Sequence, residues 1–402
     1  MNPITWCCPW LACGALPAVA ALAALPAASA ALADCVPVAT WVSPSPSGAQ
    51  PIAAAELLAR LAGESVVLLG ETHDNAEHHR WQLQTLTALH ALRPDMVLAF
   101  EMFPRRGQPA LERWVAGELT EIEFLAAAEW RRVWNFDAQL YLPIFHFARM
   151  NRVPMLAINV DRELTRAVNA MGFDGVPADK REGITRPAAP SDAYLDFLLP
   201  VYEGHDRPGR DAEKVDRNDP AFQRFVESQQ IWDRAMAQGI AAATALPSAP
   251  LVVAILGANH VAWGFGVPHQ LEDLGVANVA SLLPWEHGGD CSRLTTGYAD
   301  AVFGMAAVGA KDEALPRPRL GVLIETAGDS VRVQRVERGS IAEAAGIREG
   351  DIVREAAGVP VKEPGDLTDV VRRQAPGTWL PLKVKRQGDT LDIIAKFPPA
   401  GP

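Results

Sequence analysis

The sequence predicts an α/β fold, a mostly parallel sheet with helices on both faces, followed by a small, mainly β domain. Three observations carry this expectation. First, short apolar runs at Ser65 to Leu69, Asp95 to Phe100, Val153 to Ile158 and Leu251 to Leu256 alternate with longer stretches of helical periodicity. Strands that are apolar along nearly their whole length are buried on both faces, which is the condition of a covered parallel sheet. Second, two Gly-x-x-His patterns, Gly70-Glu71-Thr72-His73 and Gly257-Ala258-Asn259-His260, each close one of those runs. Third, from about Pro318 onward the chain changes to short strands broken by glycine turns.

A chain of 402 residues accommodates a main domain of about 250 residues and a second of about 80. The apolar fraction of 49 % and charged fraction of 21 % are those of a globular protein. A formal net charge of -11 argues against nucleic acid as a partner, because phosphate binding wants a basic face.

The first 33 residues carry no Lys, Arg, Asp or Glu, and Leu11 to Leu32 is rich in alanine and leucine, ending in small residues. This predicts a signal peptide over 1–33 and export to the periplasm or cell envelope, although the usual positive start is missing. An uncleaved anchor helix is the alternative, weakened by Pro17 and Pro26 inside the run. Cleavage before Asp34 leaves Cys35 and Cys291, which in an exported chain either close a long-range disulfide or stay as two unrelated thiols.

In chain order, Ser43 to Gly48 reads as a flexible linker and Ile52 to Leu61 as a first helix. Strand 65–69, a helix from Asn75 to Leu92, strand 95–100, helices through 108–150, strand 153–158 and a helix from Asp161 follow. Arg181 to Arg217, rich in Pro, Gly, Asp and Arg, reads as a mobile insertion near the sheet edge, a candidate lid, with one amphipathic turn or two at Tyr194 to Leu199. A helix over 220–243, strand 251–256 and a last strand near Val276 to Leu283 complete a main domain placed at 50–300.

His73 and His260 thus sit just beyond the carboxyl ends of two buried strands, and Glu101 follows strand 95–100. That edge is where ligands bind in open parallel sheets. Two imidazoles and a carboxylate suit zinc or another divalent metal ion. Without metal, the same trio can serve as an acid and base pair around an ester. The helix after His73 begins at Asp74 or Asn75, both good caps, with its backbone donors expected to point at the site. His79 shares the buried face of that helix with Leu83, Leu86 and His90 and is expected to pack under the sheet. Glu71 either points into the pocket or caps the helix. Arg105 and Arg106, with Asn159, Asp161 and Arg162, are the candidate holders of an acidic ligand's carboxylates. Trp130, Trp134, Phe136 and Phe145 serve as core or as pocket walls.

Taken together, Gly-Glu-Thr-His-Asp from Gly70, Glu77-His78-His79-Arg80, Phe100-Glu101-Met102-Phe103-Pro104, the run Pro143 to Pro154 and Gly257-Ala258-Asn259-His260 resemble the haem-binding ChaN family over about 55–300. That family is similar in its core to the Tiki and TraB proteins and to erythromycin esterases. The resemblance to ChaN implies an exported protein tied to iron acquisition. It would bind haem in a homodimer that holds a facing pair, with tyrosine as axial ligand. The tyrosines here, at 141, 194, 202 and 298, fall outside any motif matching that position, so the ligand stays unassigned. The resemblance to Tiki implies instead a metal-dependent hydrolase with His73, His260 and Glu101 as metal-binding and catalytic residues.

The last region, 318–398, resembles a bacterial PDZ domain through Gly339-Ser340-Ile341-Ala342-Glu343-Ala344-Ala345-Gly346, Gly350-Asp351-Ile352-Val353 and the closing strand Leu380 to Arg386. The resemblance implies capture of a peptide carboxyl terminus by strand addition, with Leu320, Gly321, Val322 and Leu323 facing the carboxylate. Three functions stay open on the sequence: a haem- or iron-binding envelope protein, a metal-dependent protease or esterase, and a peptide-binding adaptor.

Overall fold

The computed structural model describes residues 35–46, 48–204, 216–307 and 318–399; the signal peptide expected over 1–33 lies outside them. The main domain runs β1 (Trp41–Ser43), β2 (Gln50–Ile52), α1 (Ala54–Leu61), β3 (Val66–Glu71), α2 (Ala76–Leu92), β4 (Met96–Pro104), α3 (Gln108–Ala116), α4 (Glu121–Ala127), α5 (Trp130–Val133) and α6 (Leu142–Asn151). It continues through β5 (Met155–Asn159), α7 (Arg162–Gly175), α8 (Asp192–Gly204), α9 (Pro220–Thr244), β6 (Leu251–Gly257), α10 (Val267–Asp273), β7 (Val279–Glu286) and β8 (Ala301–Met305).

These strands form one sheet in the order β2-β1-β8-β7-β3-β6-β4-β5. From β8 to β5 every pairing is parallel, as the fully apolar strands require. The chain leaves β3, crosses over through α2 and returns as β4 one place too far to pair with it. β6, arriving much later, fills that slot and pairs with both. Side chains from alternate positions build a core on each face: Leu69, Phe100 and Ile255 on one, Leu68, Ala99 and Leu256 on the other.

The structure departs from the sequence reading in four places. β4 extends to Pro104, so Glu101 lies within a strand, and a register shift against β5 between Phe100 and Pro104 marks an irregularity there. Trp41–Ser43 and Gln50–Ile52, on either side of the stretch expected as linker, pair as the β1–β2 hairpin, which caps the sheet antiparallel to β8. β8 itself was not anticipated. The described part of the expected insertion contains α8, whose Tyr194, Leu198 and Tyr202 stack at a spacing of one turn against Phe222 and Val226 of α9. The helix is longer than the one or two amphipathic turns expected at 194–199.

Cys35, just before β1, is bonded to Cys291, between β7 and β8, with Cα atoms 5.8 Å apart across a sequence separation of 256. The bond fastens the antiparallel edge to the parallel sheet.

The second domain comprises β9 (Val322–Thr326), β10 (Val331–Val336), α11 (Ile341–Ala344), β11 (Ile352–Ala356), β12 (Val359–Pro360), α12 (Pro364–Arg372), β13 (Trp379–Arg386) and β14 (Asp389–Lys396). Its sheet is antiparallel in the order β14-β13-β11-β10-β9, with β12 on β11, and leaves β9 as an edge. The Gly350-Asp351 turn is locked from within, since buried Asp351 accepts two hydrogen bonds of 2.7 Å from Arg386 and one of 2.8 Å from the Arg348 N–H. The two domains meet at Arg131 of α5, whose guanidinium donates to Asp369 at 2.8 and 2.9 Å, to Asp366 at 3.0 Å and to Glu363 at 2.6 Å on and before α12.

Denatured, unreduced protein is expected to have two fewer reactive thiols than the same sample after reductant. Reduction of the folded protein should cost up to about 5 kcal/mol of stability, the loop-closure contribution of so long a span. Equal thiol counts before and after reductant would contradict the bond.

Candidate functional site

The slot between β3 and β4 creates the site. Because β6 lies between them, the carboxyl ends of three adjacent strands deliver His73, His260 and Glu101 to one place, as the sequence reading expected. His73 Nε2 lies 3.9 Å and His260 Nε2 3.6 Å from the same Glu101 Oε1. The other Glu101 oxygen accepts a 2.6 Å hydrogen bond from the Gly257 N–H. Gly257 is required by close approach: a Cβ there would come within 2.9 Å of His73 Cε1 and 3.5 Å of Glu101 Oε2. The second Gly-x-x-His motif thus supplies both an imidazole and the space for the other two groups.

Each histidine has a carboxylate behind it. His73 Nδ1 and Glu71 Oε1 are 2.5 Å apart, and Tyr141 OH donates to the same oxygen at 3.3 Å. His260 Nδ1 lies 2.7 Å from Asp233 Oδ1, whose other oxygen accepts from Tyr194 OH at 2.7 Å. A continuous polar chain therefore runs Tyr141, Glu71, His73, Glu101, His260, Asp233, Tyr194. Glu71 lies fully buried behind His73, so it neither lines the cavity nor caps the helix, the two roles the sequence reading had expected of it. Asp233 was missed by the sequence reading, yet it had a signal: it interrupts an otherwise apolar or neutral stripe of α9, Phe222, Val226, Gln230, Ala237 and Ile240.

Burial acts to lower the His260 pKa, but the charges of Glu101 and Asp233 and the hydrogen bond to Asp233 outweigh it and raise it to about 9. His260 is an imidazolium at neutral pH. For His73 burial again opposes the charge, and the Glu71 hydrogen bond with the Glu101 field shifts the balance upward. The Glu71 carboxyl is itself pushed up by burial against the pull of His73.

A cavity of about 570 Å³ opens on this cluster, lined by His73, Glu101, Met102, Arg106, Arg132, Trp134, Phe136, Asn159, Asp161, Arg162, Arg166, Trp232 and His260 among others. Trp134 and Phe136 stand beside His73, with ring centroids 4.6 and 5.1 Å away. Trp130 and Phe145, the other aromatics singled out, belong to the core. Arg162 and Arg166, on successive turns of α7, supply two of the cavity's cationic lining residues.

Of the expected anion holders, Arg106 lines the cavity while bound to Asp161 at 2.7 Å and Glu129 at 2.6 Å. Arg105 does not line it. Its guanidinium donates to the carbonyls of Ala235 and Glu182, at 2.9 and 3.4 Å, and holds the sheet edge to α9. Asn159 supports the site by donating to the Glu101 carbonyl at 2.7 Å. His79 packs as expected, sharing its ring nitrogens between Gln82 and the His73 carbonyl, each at 3.2 Å. The cap of α2 is Asn75, whose side chain takes the Glu77 and His78 N–H groups, so these donors serve the helix and not a ligand. His78 accepts from the Thr72 N–H at 3.0 Å, and burial, then the neighbouring His79, lowers its pKa to about 4.

Among the described residues no group of three or more His, Cys, Asp or Glu side chains is arranged to hold a metal ion. The divalent-metal set expected from His73, His260 and Glu101 is brought together, but as a carboxylate flanked by two imidazoles at ion-pair distance. In the second domain Leu320 is buried and Gly321 has φ +77°, where a Cβ would also meet Ser340 at 2.3 Å. Val322 and Leu323 begin the edge strand β9, leaving its outer side available for an added strand.

The raised His260 pKa makes its contribution to stability complete below its unfolded value, near 6.5, and lost as pH rises through about 9. Asp233→Asn should remove much of that alkaline dependence and cost about 3–5 kcal/mol, as expected for breaking a buried pair. Thermal denaturation from pH 6 to 10 checks both, and an unchanged profile in Asp233→Asn would contradict the assignment.

Comparison with known proteins agrees with this architecture. Residues 57–271 match the family described as haem-binding uptake, Tiki superfamily, ChaN, and residues 318–396 match the PDZ domain family. No curated protein matches the chain. Among solved structures, that describing cofacial haem binding to ChaN of Campylobacter jejuni has 18 % identity and a TM-score of 0.52, covering 67 % of this chain and 96 % of that one, a likeness of fold. The HtrA3 PDZ domain bound to a phage-derived ligand is 25 % identical, with a TM-score of 0.18, over 20 % of this chain and 83 % of that one. A serine endoprotease from Yersinia pestis is 24 % identical, with a TM-score of 0.20, over 23 % and 32 %. Two Gly-x-x-His strand ends around a buried glutamate, on a parallel sheet that matches over 57–271, make this chain a member of the haem-binding uptake family ChaN of the Tiki superfamily, extended by a PDZ domain.

Proposed function

We propose that this is an exported haem-binding protein of the cell envelope, linked to iron acquisition, that also captures a peptide or protein carboxyl terminus through its PDZ domain. The observation that carries the haem reading is the cavity of about 570 Å³, which joins imidazole donors, the aromatic walls Trp134 and Phe136 and the arginines of α7. Its volume is that of cofactor sites, which combine apolar walls with a few placed polar groups. Trp134 and Phe136 would cover the apolar ring of haem, and Arg162 and Arg166 would pair with its carboxylates. Haem, when bound, supplies a redox-active iron whose properties are set by its axial donor and surroundings. The Cys35–Cys291 bond supports export, because disulfides persist in oxidising compartments. A homodimer belongs to the same proposal and is supported by the family alone.

A second reading, hydrolysis, is favoured by one observation: each imidazole is oriented by its own acid, Glu71 or Asp233, and both face Glu101. Such pairs are suited to moving protons to and from an ester or amide. Glu101→Gln would abolish hydrolysis under that reading.

Titrating ferric haem into the purified full chain should shift its Soret band and saturate near one equivalent. No shift at near-equimolar haem would overturn the proposal. For the second domain, a peptide with a free apolar carboxyl terminus should bind, and its amidated form should bind at least about tenfold more weakly, a loss of about 1.4 kcal/mol. Equal binding of the two forms would contradict carboxylate capture.

A further inference from the structure

A second hollow lies where the two domains meet. It encloses about 580 Å³, within the range of small-molecule sites, between α4, α5 and the residues that follow them on one side and β12 and α12 on the other. The contact at Arg131 holds these walls together along one border. Its guanidinium lies against Gly365, where a Cβ would come within 2.7 Å of Arg131 Nη1, so a larger residue there would push α12 away. Beyond that border the lining includes Ala126 and Ala138, too small to fill the space between the domains.

The main-domain wall is apolar. Ile122 is 53 % exposed and Phe136 36 %, and these two open apolar side chains, from different elements, line the same hollow together with Leu125. Exposed apolar groups that converge on a concavity mark a binding surface more than scattered ones do. Phe136 and Arg132 also line the cavity beside His73, so the two hollows share a wall, but His73, Glu101 and His260 take no part in the second.

The charges of the hollow do not cancel. Of its acids, Glu363, Asp366 and Asp369 are engaged by Arg131, and Glu129 by Arg106 and Arg132. Asp137 is exposed and accepts from the Gln139 N–H. Against this single free carboxylate stand Arg372 and Arg373, the last residue and the cap of α12. Both are exposed, and neither guanidinium has a hydrogen-bond or ion-pair partner among the described residues.

We propose that this hollow binds a small amphipathic anion, an alkyl chain with a carboxylate or phosphate head. The chain lies on Ile122, Leu125 and Phe136, and the head pairs with Arg372 and Arg373, whose planar forks suit either group. Such a ligand touches both domains at once. The site is separate from the haem cavity and does not rest on the haem reading.

The test is calorimetric titration of the purified full chain with dodecanoate, dodecyl phosphate, dodecanol and acetate, each below its micelle concentration. At least one of the two long-chain anions should bind at one equivalent, and which of them binds more tightly identifies the preferred head. Dodecanol, which lacks the charge, and acetate, which lacks the chain, should both bind at least about tenfold more weakly. Charge reversal by Arg372→Glu with Arg373→Glu should weaken the anion by roughly 10–100-fold, and Ile122→Gln by about 3–10-fold. In wild-type protein labelled at isoleucine methyl groups, the Ile122 signal, assigned through Ile122→Val, should shift on binding; this arm needs no destabilising variant. Binding of neither anion, equal binding of dodecanol, or an affinity unchanged by the charge reversal would overturn the proposal. So would a shift at Ile324 of β9 without one at Ile122, which would place the anion in the peptide groove.

Discussion

A carboxylate buried between three strand ends is costly unless something positive or a donor meets it, and Glu101 organises the site for that reason. One of its oxygens takes the Gly257 N–H and the other faces both imidazoles. His260 can remain buried and charged because Asp233 stands behind it, and Glu71 holds the His73 ring from the same side. The network ties the fold to the site. Glu101 comes from β4, His73 follows β3 and His260 follows β6, so the cluster exists only when β6 has entered the slot between the other two.

The parallel core was readable because buried strands of a covered sheet write themselves as unbroken apolar runs, and a polar residue at the end of such a run stands out. Strand order was not readable, since the pairing of β6 with both β3 and β4 joins parts of the chain far apart in sequence. Asp233 was hidden for the same reason: its partner His260 comes from another element, and only its position in an apolar stripe of α9 hinted at a role. Arg105 and Arg106 looked alike in sequence, but they sit in a 3₁₀ turn where neighbours point about 120° apart. One faces the cavity and the other binds carbonyls behind it. The helix at 192–204 was legible only as one or two amphipathic turns at 194–199, because Pro, Gly and Asp surround it, although Tyr194, Leu198 and Tyr202 carry a helical period.

The short helix α5 and the residue after it bring three environments together. Trp130 is buried in the main core, Arg131 gathers three acids of the PDZ domain, Arg132 and Val133 line the cavity, and Trp134 walls it beside His73. α12, which receives Arg131, also packs against β9, the edge strand suited to a peptide. One helix and one arginine therefore stand between the two binding surfaces. Because the arginine is partly exposed, this connection is electrostatic and weakens with salt, whereas the Glu101 network inside the main domain is shielded from it.

The central claim is that imidazoles 73 and 260 feel one shared carboxylate. The most direct measurement is the NMR titration of both imidazole rings in wild-type protein and in Glu101→Gln. The account predicts that both pKa values fall together in the variant, since Glu101 raises each of them. Unchanged titration of either ring would contradict it.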